Sequence, residues 1–596
     1  MTVNERIEKL RHLMAERNID IYIIPTADFH NTEFVGEHFK ERKYMSGFSG
    51  SDGTLVVTSD ASSLWVDGRY FLQAAKELSG TEIQRMEIGE PGVPQISEYV
   101  KDKLLHGGII AFDGRTMNTA DYLKYKDIVT EKGGNLYTDE DLVDIIWEDR
   151  PSLSKEQAWL LTDEQAGEGR ADKINRLREY MRSEGYDMIL TAALDEVAWL
   201  MNIRGGDISY FPVVMAYAAV TFDEAALFVD MDKLTDDVAL KLEADGVDIY
   251  PYEEIYSYAK NARDINIGAD FSTLNSGVYS RLSMGADVTN IISPIKLWKA
   301  VKNSTELANT KKAHIRDGAA VTKFIYRIKK EVASGKQLTE LDAADILLKC
   351  RMEQDGFIEP SFETIAAYGS NAAYVHYSAK EDDQATLKTE GLLLVDSGGH
   401  YTDGTTDVTR TIALGDITDE QKKMFTAVLK GMIRLSMARF PEGVRGYNLD
   451  AICRGPLWDM GLDYRHGTGH GVGHIGAVHE GPNAFRWRRS GQQDDVPMTE
   501  GMITSNEPGY YKDGEYGIRI ENEIVAVKDI KTEYGQFMRF DTLTYVPIDR
   551  EAIKVEMLTE DELSWLNDYH KKVYDNLKEF MDYEERKWLS EVTADL

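Results

Sequence analysis

Residues 6–27, RIEKLRHLMAERNIDIYIIPTA, and residues 173–193, KINRLREYMRSEGYDMILTAA, carry one pattern twice. Ile7 aligns with Ile174, Leu10 with Leu177, Met14 with Met181 and Asp20 with Asp187, every pair offset by 167. In the first copy Ile7, Leu10, Leu13 and Met14 share one helical face, and an apolar strand follows at once. A helix of period 3.6 running into a buried strand opens an α/β unit. A second signal trails each copy. LVVTSDASSLWVDGRYF (55–71) and VVMAYAAVTFDEAALFVD (213–230) each read as two short strands about a turn. Chance likeness of two amphipathic helices is the alternative, and strands in the same phase after both speak against it. An offset of 167 is far beyond the ~20–50 residues of a solenoid repeat. The pattern therefore predicts two related domains in tandem, 1–151 and 152–296.

The remainder (297–596) reads differently. Asn303 with Glu306, and Thr339 with Asp342, have capping-box spacing and open helices. Strand-like runs follow in GLLLVDSG, TTDVTRTIAL and GIRIENEIVAV, and the tail turns helical with Trp565, Leu566, Tyr569 and Val573 on one face. A length of 596 residues allows about four average domains or three larger ones. The fold class is mixed α/β (α+β).

Composition narrows the function. Apolar residues are 42% and charged residues 29%, ordinary globular values. Net charge is −34, a field that repels phosphate backbones and anionic lipid. The reading therefore expects neither a nucleic-acid nor a membrane partner. Two cysteines, Cys350 and Cys453, can neither staple such a chain nor build a Cys-rich zinc site, which suits a reducing compartment. The first 25 residues hold no apolar run long enough for a signal-peptide core. The most apolar later stretch, FPVVMAYAAVTF (211–222), falls short of the ~20 residues a bilayer demands. A cytoplasmic protein is expected.

The chemistry concentrates in the last segment. Four of 12 histidines, His466, His470, His474 and His479, fall within RHGTGHGVGHIGAVHE (465–480). Glycines there let the backbone bend closely around a small object. His474 reads most simply as an exposed or hydrogen-bonded residue, and neither it nor His400 receives a chemical role. Carboxylates flank the segment. Asp396 ends an apolar strand and Asp407 enters the next, so a hairpin would bring them together, though two loop aspartates at that spacing are a weak signal alone. In GIRIENEIVAV (517–527) strand alternation sets Arg519, Glu521 and Glu523 on one face. Charges on such a strand are costly to bury unless paired or bound to metal. Glu507 precedes Pro508 and belongs at a strand end or turn.

Gathered, Asp396, Asp407, His470, Glu507 and Glu521 hold more negative charge than a dry pocket tolerates. Two divalent cations would balance it, and an oxygen-rich set suits Mn²⁺, with Co²⁺, Fe²⁺ or Zn²⁺ as substitutes. Such a pair can share a water, lower its pKa and make a hydroxide at neutral pH.

The motifs DSGGHYTDGTTDVTR, HGTGHGVGH, VHEGP, NEPGYY and GIRIEN together resemble the catalytic domain of the metal-dependent pita-bread peptidases. The resemblance is strongest to the Xaa-Pro aminopeptidase branch of the long three-domain cytosolic type. SGFSGSDGT and WVDGRYFLQA (46–74) and the tail WLNDYH (565–570) extend it over nearly the whole chain. It implies two tandem creatinase-like N-terminal domains, a pita-bread catalytic domain over 297–596, and release of the residue before proline. It also implies roles. Asp396 and Asp407 would be metal ligands, Asp407 touching both ions. His470 would bind one ion. Glu507 would bind one and handle the proton of the attacking water, and Glu521 would bridge the pair. His376 and His479 would hydrogen-bond the peptide and steady the tetrahedral intermediate, His466 would lie nearer the proline pocket, and Arg519 would pair with a ligand carboxylate. A homodimer is implied as well.

The same residues argue against other chemistries. Gly471, Gly473 and Gly476 satisfy G-x-G-x-x-G, but no helix signal follows. There is no H-E-x-x-H, and no G-x-S-x-G surrounds Ser49. A prolidase acting on Xaa-Pro dipeptides shares the metal kit, but that type usually has one N-terminal domain. A methionine aminopeptidase lacks so long an N-terminal half. An inactive binding relative would have lost ligands, and all five are present.

Overall fold

The computed structural model describes residues 1–488 and 496–596. The chain divides into two compact units, one made of Met1–Asp163 with Glu168–Ile295, the other of Glu164–Gly167 with Lys296–Leu596.

Both copies of the repeat lie in the first unit, and the likeness extends to topology. Helices Val3–Glu16 and Arg170–Glu184 run into strands Ile21–Pro25 and Met188–Thr191. Each strand sits third from the end of a six-stranded sheet. One sheet is ordered Gln84–Glu87, Ser62–Val66, Thr54–Thr58, Ile21–Pro25, Ile109–Ala111, Asn135–Tyr137. The other is ordered Asp248–Pro251, Ala225–Val229, Ala216–Thr221, Met188–Thr191, Asn266–Ala269, Asp287–Asn290. In both, the central hairpin is antiparallel and the outer pairings are parallel. Ile7, Leu10 and Met14 are fully buried while Leu13 is only partly so, because the helix edge stays wet.

The two copies also meet through equivalent residues. Asn118 and Asn275 each cap a helix, at Thr119–Lys132 and Ser276–Leu282. They face one another in a β-bridge, with Thr119 N–H donating to Leu274 O and Ser276 N–H to Met117 O, both at 2.8 Å. The contact is reciprocal, as expected of a pseudo-twofold between duplicated domains.

In the second unit long helices cover small sheets of two to four strands. Asn303 caps Ser304–Ala333, accepting the Thr305 and Glu306 N–H groups at 2.9 Å, and Thr339 caps Glu340–Met352. Helix Asp419–Ser436 buries Met424, Phe425, Val428, Leu429, Met432 and Ile433 against Ile518, Ile520, Leu566, Tyr569 and Val573. Each such side chain contributes roughly 1.5–3 kcal/mol when fully buried, so this layer is a rigid backing for the sheets. Among the described residues no helix is long and apolar enough to cross a membrane.

One sequence reading changes here. GIRIENEIVAV is not a single strand. Tyr516–Arg519 pairs with Gly509–Lys512, Asn522–Thr532 belongs to another sheet, and Ile520–Glu521 links them. At that link the backbone exchanges partners, Ile520 N–H donating to Pro508 O and Glu521 N–H to Thr409 O. Both faces are buried, because helices cover the side that alternation would leave to the apolar residues alone.

Candidate metal centre

The hairpin of Leu392–Ser397 and Val408–Ala413 sets Asp396 opposite Thr409 and Ser397 opposite Val408. Asp396 therefore lies beside the end of the strand that Asp407 enters, with most of the intervening chain spent in a side excursion, Gly399–Tyr401 and Gly404–Thr405. Glu521 reaches the same place from the strand link, its Oε2 accepting the Thr409 hydroxyl at 2.7 Å. Glu507 follows strand Ile503–Asn506 and is held by its N–H on Thr468 O at 2.8 Å. His470 sits on Gly469–His470, a strand that passes so close that a Cβ on Gly469 would stand 1.8 Å from Ser505 O. Only glycine permits that approach.

One nitrogen of His470 and one oxygen each of Asp407 and Glu521 lie within 4.8 Å of one another. His470 Nε2 is 3.5 Å from Asp407 Oδ2 and 3.5 Å from Glu507 Oε1. Its Nδ1 is 3.0 Å from Gly471 O, which can only accept. The ring proton is thus on Nδ1, and Nε2 offers its lone pair to the carboxylate cluster. Arg519 approaches from the opposite side, donating Nη2–H to Asp396 Oδ2 at 2.6 Å and Nη1–H to Tyr511 OH at 2.7 Å.

Electrostatics marks the cluster as incomplete by itself. Burial, together with Glu521 and Asp396, pushes Asp407 well above the ordinary carboxylate range. Burial and then Asp396 do the same to Glu521. Burial, opposed by Arg519 and aided by Asp396, pushes Glu507 up to about 7. Asp396 Oδ1 is buried with no hydrogen-bond partner among the described residues. Four carboxylates facing one guanidinium, an orphaned carboxylate oxygen and an imidazole lone pair form a donor set that divalent cations complete. The residues present fit such ions.

The histidines lie around and beyond this cluster. His479 stacks edge-to-face on His470, ring centroids 4.3 Å apart. His466 is joined to the cluster through Tyr511. Its Nδ1 donates to Gly467 O at 2.7 Å, so its Nε2 accepts the Tyr511 hydroxyl at 2.9 Å. His376 is half-buried in the turn that follows the 3-10 segment Gly369–Ala373. His474 is buried, with Nδ1 3.1 Å from Thr310 Oγ1 and Nε2 2.9 Å from Gln165 O. His400 is buried 3.0 Å from Thr405 Oγ1.

Three further residues, Tyr511, Glu523 and His314, support this centre. Tyr511 links His466 to Arg519. Glu523 accepts the Asp407 N–H at 2.7 Å, and His314 Nε2 stands 3.1 Å from the same Glu523 oxygen. Glu523 holds His314 above the ordinary histidine range in spite of its burial. Glu523 was legible as a charge on the same strand face. His314 lies in the middle of a long helix and carries no local signal.

Metallopeptidase family M24 matches residues 308–528, and the C-terminal region of that family matches 536–596. The creatinase/prolidase N-terminal domain matches twice, over 6–145 and 149–306. The chain is 40% identical to Aminopeptidase P2 of Arabidopsis thaliana, over 98% of this chain and 87% of that protein. It is 39% identical to Probable Xaa-Pro aminopeptidase P of Sordaria macrospora over 100% of both. The solved structure of X-prolyl aminopeptidase from Caenorhabditis elegans, described as a cytosolic enzyme with a di-nuclear active site, matches with a TM-score of 0.94 at 34% identity, covering 100% of both chains.

Proposed function

This chain belongs to metallopeptidase family M24, and from that membership we propose how its centre works. It is a metal-dependent aminopeptidase that hydrolyses the bond between an N-terminal residue and a following proline. It uses two divalent metal ions. The observation that carries the reading is the convergence of Asp407, His470 and Glu521, with Glu507 and Asp396 beside them.

Asp396, Asp407, His470, Glu507 and Glu521 would hold the ions. Mn²⁺ is the resident metal, because oxygen donors dominate. Bound divalent ions supply Lewis-acid charge that polarises the scissile carbonyl and acidifies a water. The other work falls to the chain itself. Glu507, set beside His470 in the cluster, can accept a proton from water and return it to the leaving amine. His376 and His479 hydrogen-bond the peptide and the developing oxyanion. His466, its Nε2 held by Tyr511, borders the proline pocket. Arg519 orients Asp396 and balances part of its charge.

The substrate follows from chemistry. The bond before proline is a tertiary amide without an N–H, so a site that relies on metals and an apolar ring pocket loses nothing there. We take the chain as three domains, 1–151, 152–296 and 297–596, acting as a cytoplasmic homodimer.

The test is cleavage of a matched Xaa-Pro tripeptide and Xaa-Pro dipeptide by metal-stripped protein, with and without Mn²⁺, read by mass spectrometry. Mn²⁺-dependent loss of one residue from the tripeptide, with the dipeptide largely spared, is expected. Preference for the dipeptide would instead mark a prolidase.

A further inference from the structure

Glu340 begins helix Glu340–Met352 and is completely buried, yet among the described residues no cation faces it. Its partners are neutral donors, and they come from three places along a single surface segment. Tyr368 N–H donates to Oε1 at 2.6 Å, and Asn371 Nδ2 reaches both oxygens at 3.1 Å. The Tyr377 hydroxyl donates to Oε2 at 2.8 Å, and Ala385 N–H to Oε2 at 2.7 Å. The segment returns one bond, Glu340 N–H donating to Ala385 O at 3.2 Å. A carboxylate that accepts this many donors is firmly held in place. What it holds is the turn containing His376, gripped at Asn371 before it and at Tyr377 directly after it.

The other side of that turn is pinned by close approach. The 3-10 segment Gly369–Ala373 lies against strand Tyr516–Arg519, and a Cβ on Gly517 would stand 1.8 Å from Ala372 O. Gly517 is two residues from Arg519, whose guanidinium bonds Asp396. The segment is thus clamped between Glu340 and the strand that ends at the metal centre.

We propose that Glu340 is a positioning residue for the aminopeptidase reaction, acting through the turn it anchors to hold the His376 imidazole at the substrate. This rests on the assignment of His376 to substrate contact made above. Glu340 is not near the metal ligands in the chain and bonds none of them, so its work is separable from metal binding.

The experiment is a double-mutant cycle of Glu340→Gln and His376→Ala in the Mn²⁺-loaded full chain, with kcat and KM on an Xaa-Pro tripeptide and metal content measured for each protein. Glutamine keeps the volume but replaces one acceptor oxygen with an amide that faces donors. Glu340→Gln is expected to lower kcat at least tenfold, with KM and two bound metals retained. In the His376→Ala background the same substitution is expected to change kcat less than twofold, because its target is gone. Tyr377→Phe keeps Glu340 and removes one of its donors, together with that hydroxyl's contacts to Asn371 and Asp383, and should show a smaller kcat loss with the same dependence on His376. An equal loss in both backgrounds, or loss of bound metal, overturns the positioning role alone. A His376→Ala enzyme with full turnover overturns it together with the assignment of His376.

Discussion

The guanidinium of Arg519 donates to Asp396 Oδ2 at 2.6 Å, joining two residues 123 positions apart in the chain. Arg519 is nearly inaccessible to solvent, and Asp396 is the first carboxylate of the cluster. The pair fixes the direction of Asp396 and leaves its Oδ1 bare.

Arg519→Lys is therefore not conservative. A lysine cannot hold Asp396 and Tyr511 with one planar fork. Substitution should lower kcat by about 10–100-fold, the usual cost of losing a group that orients a metal ligand. Steady-state kinetics with saturating Mn²⁺ reads this directly, and unchanged kcat would remove Arg519 from the mechanism.

Chelation should abolish cleavage, and added Mn²⁺ should restore it. In Asp407→Ala and Glu521→Gln, metal analysis after dialysis should find fewer than two ions per chain, and activity should not return with excess metal. Two ions retained in both variants would contradict the ligand assignments.

Glu523 accepts the Asp407 N–H while His314 stands against the same oxygen. Removing one partner of a buried charged pair costs about 3–5 kcal/mol. His314→Ala should therefore lower the apparent Tm. Glu523→Gln, which removes the negative charge from the acceptor of the Asp407 N–H, should also weaken Mn²⁺ binding by about 10–100-fold. Calorimetric titration separates the two effects: Mn²⁺ affinity left intact in Glu523→Gln would limit this pair to a structural role.

His570 supplies a pH dependence away from the metal site. Its Nε2 accepts the Ile548 N–H at 3.1 Å, and burial with two nearby arginines lowers its pKa to about 3. The folded state thus resists the proton that the unfolded chain takes up near pH 6.5. Above that pH the effect is absent, and stability falls as pH drops from about 6.5 toward 3. His570→Gln keeps an acceptor without titrating, so its Tm deficit at pH 7 should narrow at pH 5. A deficit that stays constant would show that His570 does not contribute to acid sensitivity.

Much of the architecture could be read from residues alone. The duplication was visible because core-facing positions recur at helical period and strands follow in the same phase, from Ile7 to Met14 and from Ile174 to Met181. The reciprocal Asn118–Asn275 contact was not, since an asparagine that caps a helix looks the same whatever its carbonyl neighbours meet. Carboxylates on apolar strands announced metal chemistry by type, because such charges are too costly to bury without a counterion.

By itself, then, the amino-acid order determined the repeat, the capped helices and the residue types able to hold cations. Periodicity, capping and composition act over a few residues and leave a local trace. Tertiary structure alone decided that GIRIEN breaks between two sheets, that Arg519 turns to Asp396, that His314 stands behind Glu523 and that Glu340 grips the His376 turn. Those pairings join segments far apart in the chain, and a buried hydrogen bond depends on where its partner arrives, which no local pattern encodes.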